Sequence, residues 1–139
     1  MRLHLYYIGK PRDAHANAMA AEYIKRLGRY ARCEMAEIKP DRADPWSKHP
    51  AATKILLDPS GKLMDSPRFA RLISSAEQQA RDLGFVVGGA DGLPEGWSRR
   101  ADLLLALSPM TFPHELARVM LAEQLYRAFT SLRGHPYPR

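Results

Sequence analysis

The chain has 139 residues, 45% of them apolar and 26% charged, which suits one ordinary folded domain and argues against disorder. A domain of this size buries roughly 68–70% of the surface its unfolded chain exposes, so its core needs no staple, and the single cysteine, Cys33, excludes an intrachain disulfide or a cysteine-based metal site. The net charge of +6 is concentrated early: residues 1–62 hold twelve basic and seven acidic side chains, residues 63–139 nine and eight. With Lys25, Arg26, Arg29 and Arg32 close together, that field favours a polyanion such as nucleic acid, although a solvated helix face gives the same signal.

Residues 1–10 carry Arg2 and His4 inside a short apolar run, which fits neither a secretion signal nor a membrane span. A cytoplasmic protein is therefore expected. Residues 3–8 read as a buried first strand, ended by Gly9 and Pro11. Residues 13–27 read as a helix, with Ala16, Met19, Ala20, Tyr23, Ile24 and Leu27 at helical spacing and Gly28 at the stop. Residues 33–38 alternate weakly and predict a second strand. Pro40, Pro45 and Pro50 make 39–52 a loop.

Residues 54–57 form a short apolar strand. Ser66-Pro67 predicts a helix start, a hydroxyl cap followed by proline at the first helical position. That helix runs through Phe69, Leu72, Ile73 and Ala76 towards Gly84, placed as a C-cap. Residues 85–87 predict another strand, ending in Gly88-Gly89, and 102–107 a further one. Pro113 opens a last helix whose apolar face is Leu116, Met120, Leu121, Leu125 and Phe129. Strands alternating with helices, and apolar enough to be buried on both faces, predict a single α/β domain with a mostly parallel sheet flanked by helices. No repeat or linker divides it.

Ligands of such sheets bind in loops beyond the strand C-termini. Three loops qualify: Asp58-Pro59-Ser60-Gly61-Lys62, Gly88-Gly89-Ala90-Asp91-Gly92, and Ser108-Pro109-Met110-Thr111-Phe112. Glycine in the second permits close backbone approach or positive φ, and the third sets amides and a helix N-terminus beside an anion. Each alone also reads as an ordinary turn. The nucleotide motif GxxxxGK[ST] is absent, Gly88 does not open a GxGxxG after the first strand, and neither GxSxG nor HExxH occurs. The five histidines show no metal-ligand spacing beside an acid, so no metal is expected. Asp91 and Glu95 read as turn-solvating carboxylates. In the tail, Arg133, His135 and Tyr137 combine phosphate partners with a ring for stacking a base, and Arg118 and Arg127 lie off the apolar stripe of the last helix, where they are expected at the surface.

Taken in order, these pieces resemble the RlmH family of SPOUT methyltransferases over nearly the whole chain. The resemblance rests on Glu22-Tyr23-Ile24-Lys25-Arg26-Leu27, Leu57-Asp58-Pro59-Ser60-Gly61-Lys62 and Gly88-Gly89-Ala90-Asp91-Gly92-Leu93. It continues through Leu107-Ser108-Pro109-Met110-Thr111-Phe112-Pro113-His114, Arg118-Val119, Glu123-Gln124-Leu125-Tyr126-Arg127-Ala128 and His135-Pro136-Tyr137. It implies a trefoil-knotted fold, a homodimer with cofactor pockets near the subunit interface, and S-adenosylmethionine-dependent methylation of N3 of a pseudouridine in 23S ribosomal RNA, on the assembled ribosome. Carried over by position, the cofactor contacts are Leu57, Gly88, Leu107, Ser108, Pro109, Met110, Thr111 and Phe112.

The chain departs from the family in two places. Residues 39–52 are shorter than usual and rich in proline, and the tail reads Tyr137-Pro138-Arg139 where relatives have histidine after the tyrosine, so no role for that histidine is carried over. His114 and His135 are the candidate bases for the N3 proton, Arg118 and Arg133 candidates for binding phosphate or a developing anion, and Tyr137 for stacking. Two other functions fit the same residues: methylation of another RNA, such as transfer RNA, and a non-catalytic RNA- or ribosome-binding protein of the same fold.

Overall fold

A computed structural model describes residues 1–137. Its elements are β1 (Arg2–Tyr7), α1 (Ala14–Leu27), β2 (Arg32–Glu37), α2 (Pro45–Lys48), β3 (Thr53–Leu63), α3 (Ser66–Gln78), β4 (Leu83–Val87), α4 (Trp97–Arg100), β5 (Leu103–Ala106) and α5 (His114–Leu132). The five strands form one sheet in the order β2-β1-β4-β3-β5, with every pair parallel. β4 is buried at all five positions, as expected of a parallel strand covered on both faces.

The strand period of two divides the core. Leu3, Leu5, Ile55, Phe85 and Leu105 point to one face, where α1, α3 and α5 bury Leu27, Ile73, Leu121, Leu125 and Phe129 against them. Tyr6, Leu56 and Val86 point to the other, which only short elements cover, with Ile38 and Trp97 as their main partners. That second face carries polar groups as well. His4 stacks on His49 at 3.5 Å, and the Tyr6 hydroxyl meets His49 Nδ1. Lys54 is 1% exposed, and its ammonium donates to the carbonyls of His49 and Ala52.

Four expectations need correction. α3 is capped by Asp65, whose Oδ1 accepts from the Arg68 amide at 2.9 Å, while Ser66 is already helical and donates its hydroxyl to Gln124. A carboxylate and a hydroxyl stand side by side there, and the carboxylate takes the cap. α3 also ends before Gly84: Ala80 turns left-handed at φ 54, and Gly84 lies inside β4, where a Cβ would sit 3.3 Å from the Lys54 stem. The 39–52 segment is not all loop, because Asp44 caps the single turn of α2 through the Ser47 amide. Finally, β3 runs on to Leu63 past Pro59, with a bulge between Leu57 and Lys62 where it pairs with β5, the setting in which a strand tolerates proline.

Candidate cofactor and substrate cleft

β4 and β5 end on either side of the bulge in β3, and that bulge, with the segments leaving β4 and β5, encloses a cleft of about 520 Å³, within the range of small-ligand sites. Its walls are apolar, from Leu57, Val87, Leu93, Leu105, Leu107 and Phe112, and its floor is the first turn of α5 with Pro113, His114 and Ala117. Of the eight residues carried over as cofactor contacts, Leu57, Gly88, Leu107, Ser108, Met110, Thr111 and Phe112 line it; Pro109, between two of them, does not. The Ser108 hydroxyl accepts from the Met110 amide at 3.0 Å and shapes the turn.

Glycine serves the second loop mainly by letting backbone meet backbone. A Cβ on Gly88 would lie 2.8 Å from the Gly92 carbonyl carbon, and one on Gly89 3.0 Å from the Ile8 carbonyl oxygen. The loop closes on itself, with the Gly92 amide donating to the Gly89 carbonyl at 2.9 Å, and positive φ (+80) falls on Gly92.

The N-terminus of α5 has Pro113 at the cap and no capping side chain. Its leading amides are therefore available to an anion, and the helix dipole favours one there. Two titratable side chains line the cleft. Asp58 is engaged, its Oδ1 accepting from the Ser60 amide and hydroxyl at 2.8 and 2.6 Å. His114 is half-buried, and among the described residues its ring has no hydrogen-bond partner.

The other candidates lie elsewhere. Arg118, expected at the surface, is buried instead, 1% exposed; its guanidinium lies over the Tyr7 ring and donates to Asn17 Oδ1. Packing against α1 and β1 removes it from any patch shared with the tail. Arg127, expected off the core, is partly covered and ion-paired with Glu123 at 2.8 Å, while Arg133 pairs with Glu77. His135 and Tyr137 are at the other end of α5, whose 19 residues span roughly 28 Å. His135 Nδ1 accepts from the Tyr137 amide. The Tyr137 hydroxyl donates to Glu123 at 2.7 Å, and its ring meets Tyr126 edge-on at 4.6 Å between centroids. The tail is thus folded back on its own chain, and Tyr137 does not stand free. Pro138 and Arg139 lie outside the described residues.

One contributor is not apparent from the sequence. The Glu115 carboxylate accepts from the amides of Arg12 and Asp13 at 2.7 and 3.0 Å and from the Asn17 side chain at 3.0 Å. It fastens the start of α1 to the first turn of α5, the floor of the cleft. The Arg12 amide, then Asn17, hold its pKa down at about 2. A glutamate in the first turn of a helix is visible in the sequence; its partners, about a hundred residues away, are not.

Among the described residues no group of three or more His, Cys, Asp or Glu side chains gathers to hold a metal ion, and no helix is long and apolar enough to cross a membrane.

A parallel α/β domain with an apolar cleft at its strand C-termini, closed by an uncapped helix N-terminus, is a small-ligand-binding domain of the kind many enzymes use. The family model described as predicted SPOUT methyltransferase matches residues 1–138. The chain is 62% identical over 139 residues to the ribosomal RNA large subunit methyltransferase H of Solibacter usitatus (strain Ellin6076), covering all of both chains. It is 40% identical over 139 residues to a protein of that name from Thermus thermophilus, covering 100% of this chain and 99% of that one. A probable methylase family protein from Haemophilus influenzae Rd KW20 has a similar fold, with TM-score 0.62 at 12% identity over 99% of this chain and 70% of the other. The chain belongs to the SPOUT methyltransferases, and within them to the RlmH family.

The methyl donor of that family is S-adenosylmethionine, and the cleft fits it. The apolar walls suit a purine and a thioether-like chain, and the uncapped amides at the start of α5 suit a carboxylate.

Proposed function

We propose that this protein, as a homodimer in the bacterial cytoplasm, methylates N3 of a pseudouridine in 23S ribosomal RNA on the assembled ribosome. The observation that carries this reading is the convergence of seven carried-over contact residues, from β3 and from the loops after β4 and β5, on one cleft of cofactor size. The names of the full-length relatives supply the ribosomal RNA of the large subunit as the substrate class. The same reading takes the β3–β5 crossing, where Gly61 runs against the backbone of Leu104, as part of a trefoil knot.

When bound, S-adenosylmethionine supplies a methyl group already activated on a sulfonium, so the protein's own work is positioning and proton handling. The β3 bulge and the loops after β4 and β5 would hold the donor, with the α5 amides available to its carboxylate. The N3 proton of the base must leave, and the His114 ring, in the cleft with no competing partner among the described residues, is the side chain placed to accept it. Buried against Tyr7 and Asn17, Arg118 holds the β1 end and α5 together.

The homodimer is supported by the apolar side chains Met19, Leu116 and Met120, which stand 53%, 44% and 40% exposed on α1 and α5. Because α5 separates His135 from its own cleft, any contribution of that residue to catalysis has to come from a second copy.

The test is calorimetric titration with S-adenosylmethionine, followed by methylation of purified ribosomes lacking the modification. Saturable binding by the native protein is expected, lost in Ala117→Phe, which fills the floor of the cleft without touching the glycine loop. Failure of the folded native protein to bind the cofactor, alone or with ribosomes, would favour the non-catalytic RNA-binding alternative.

A further inference from the structure

The basic cluster of residues 25–32 is placed far from the cleft. α1 starts beside the first turn of α5 and runs the length of the domain, so its last turn lies roughly 20 Å from the cleft end. Lys25 and Arg26 stand in that last turn, and Arg29 in the turn that follows. Arg32 then opens β2, and the β1–β2 register sets it directly opposite Arg2.

Helix-end stabilisation accounts for Lys25 and Arg26, because cations near a C-terminus oppose the dipole. It does not account for the other three. Arg2 and Arg32 face each other across neighbouring strands, about 4.8 Å apart, an arrangement of like charges that works against the sheet. Arg29 stands beyond the helix. All three are exposed, and among the described residues none has a carboxylate within ion-pair distance. The nearby acids are limited: Glu22 pairs with Arg26, Asp82 accepts from the Arg2 amide, and Glu34 lies two residues further along β2.

We infer that this end of the domain is a second RNA-binding surface, in which Arg2, Arg29 and Arg32, with Lys25, bind phosphates of the nucleic acid whose target base enters the cleft. The inference rests on the methyltransferase reading for the identity of the polyanion. Guanidinium groups suit phosphate oxygens, and a span of roughly 20 Å corresponds to several nucleotides. The surface would anchor a large RNA without reading its sequence, as binding to the sugar–phosphate backbone does, and would offset the small area that a 139-residue chain can devote to recognition at the cleft itself.

The test uses the full-length protein, a labelled single-stranded RNA oligonucleotide and a KCl series, read by fluorescence anisotropy. A variant carrying Arg2→Gln, Arg29→Gln and Arg32→Gln should lower the log–log salt slope by about 2, at about 0.7 for each phosphate no longer neutralised. Its S-adenosylmethionine affinity should stay native. A variant carrying Arg68→Gln and Arg71→Gln, two exposed positions on α3, should leave the slope unchanged. An unchanged slope in the first variant, or an equal drop in the second, overturns the patch while leaving the methyltransferase reading intact. Patch-dependent RNA binding by a protein that takes up no cofactor supports the patch and sinks that reading.

Discussion

The guanidinium of Arg118 lies over the ring of Tyr7, 3.6 Å from its centroid, joining α5 to the end of β1 inside the molecule. Its Nη1 reaches Asn17 and stands 3.9 Å from Glu115, while its Nε has no hydrogen-bond partner among the described residues. Burial pushes its pKa below the ordinary arginine range, with Tyr7 and Glu115 opposing that shift. Arg118→Met should lower unfolding free energy by about 2 kcal/mol, because it leaves the Asn17 carbonyl oxygen without its buried donor and removes the positive charge beside Glu115. Tyr7→Leu should cost about 1 kcal/mol, and a double-mutant cycle should show positive coupling. Chemical denaturation measures all three, and zero coupling would mean that the stacking of guanidinium on ring contributes nothing.

Two glycines packed against backbone should respond differently to alanine. At Gly61 a Cβ would lie 2.6 Å from the Leu104 carbonyl carbon and 2.8 Å from the Leu105 amide. Neither can retreat, since both belong to β5, so Gly61→Ala should destabilise the fold by about 3 kcal/mol. At Gly88 the obstacle is its own loop, which can shift. Gly88→Ala should therefore cost about 1 kcal/mol of stability but at least about tenfold in cofactor affinity, or about 1.4 kcal/mol of binding. Thermal unfolding and calorimetry separate the two. A Gly88→Ala variant with native affinity would remove this loop from the cofactor site.

Glu115 gives the acid limb of stability a specific source. Its folded pKa, about 2, is below the ordinary 4.5. The stabilisation is therefore complete above the ordinary value and is lost as pH falls through that window. Native protein should be more stable than Glu115→Gln at neutral pH, and the two melting temperatures should converge as pH drops towards the folded pKa. A gap that stays constant down to that pH would show that the carboxylate's charge is irrelevant to the clamp.

Two substitutions at Tyr137 separate the work of its hydroxyl from that of its ring. Its hydroxyl donates to Glu123, and burial, followed by that bond, raises its pKa well above the ordinary phenol range. Tyr137→Phe should cost about 1 kcal/mol of stability and leave methylation within about twofold of native, since the ring that would stack on a base is kept. Tyr137→Ala should lower methylation of ribosomes by about tenfold, the scale of one missing base–aromatic stack. Equal and native rates in both variants would confine Tyr137 to holding the tail against α1 and α5.

His114 is tested by substitution. As the acceptor of the N3 proton, its replacement in His114→Gln should reduce kcat by roughly 100-fold, read from single-turnover methylation of ribosomes at saturating cofactor. A variant that keeps the native rate would move the proton to another acceptor.

Most of the sheet was legible in the sequence because its strands are short apolar runs between turn residues, a local signal with a period of two. β1, β4 and β5 fall within two residues of their expected ends, and the loops around Gly88 and Leu107 follow from that, whereas Leu57, expected at a strand end, lies inside β3, which runs on to Leu63. Two of the features missed are local, the Asp65 and Asp44 caps, each three residues from the amide it accepts from; the others depend on partners distant in the chain. Pro59 stays in β3 because β5 accepts a bulge there, Gly84 belongs to a strand because Lys54 needs its space, and Arg118 is buried because Tyr7 and Asn17 come to meet it. Local propensity and hydrophobic pattern determined the class of fold and the order of its loops. The tertiary structure decided which loops share a cleft and which charges find a partner, because both follow from packing across a hundred residues.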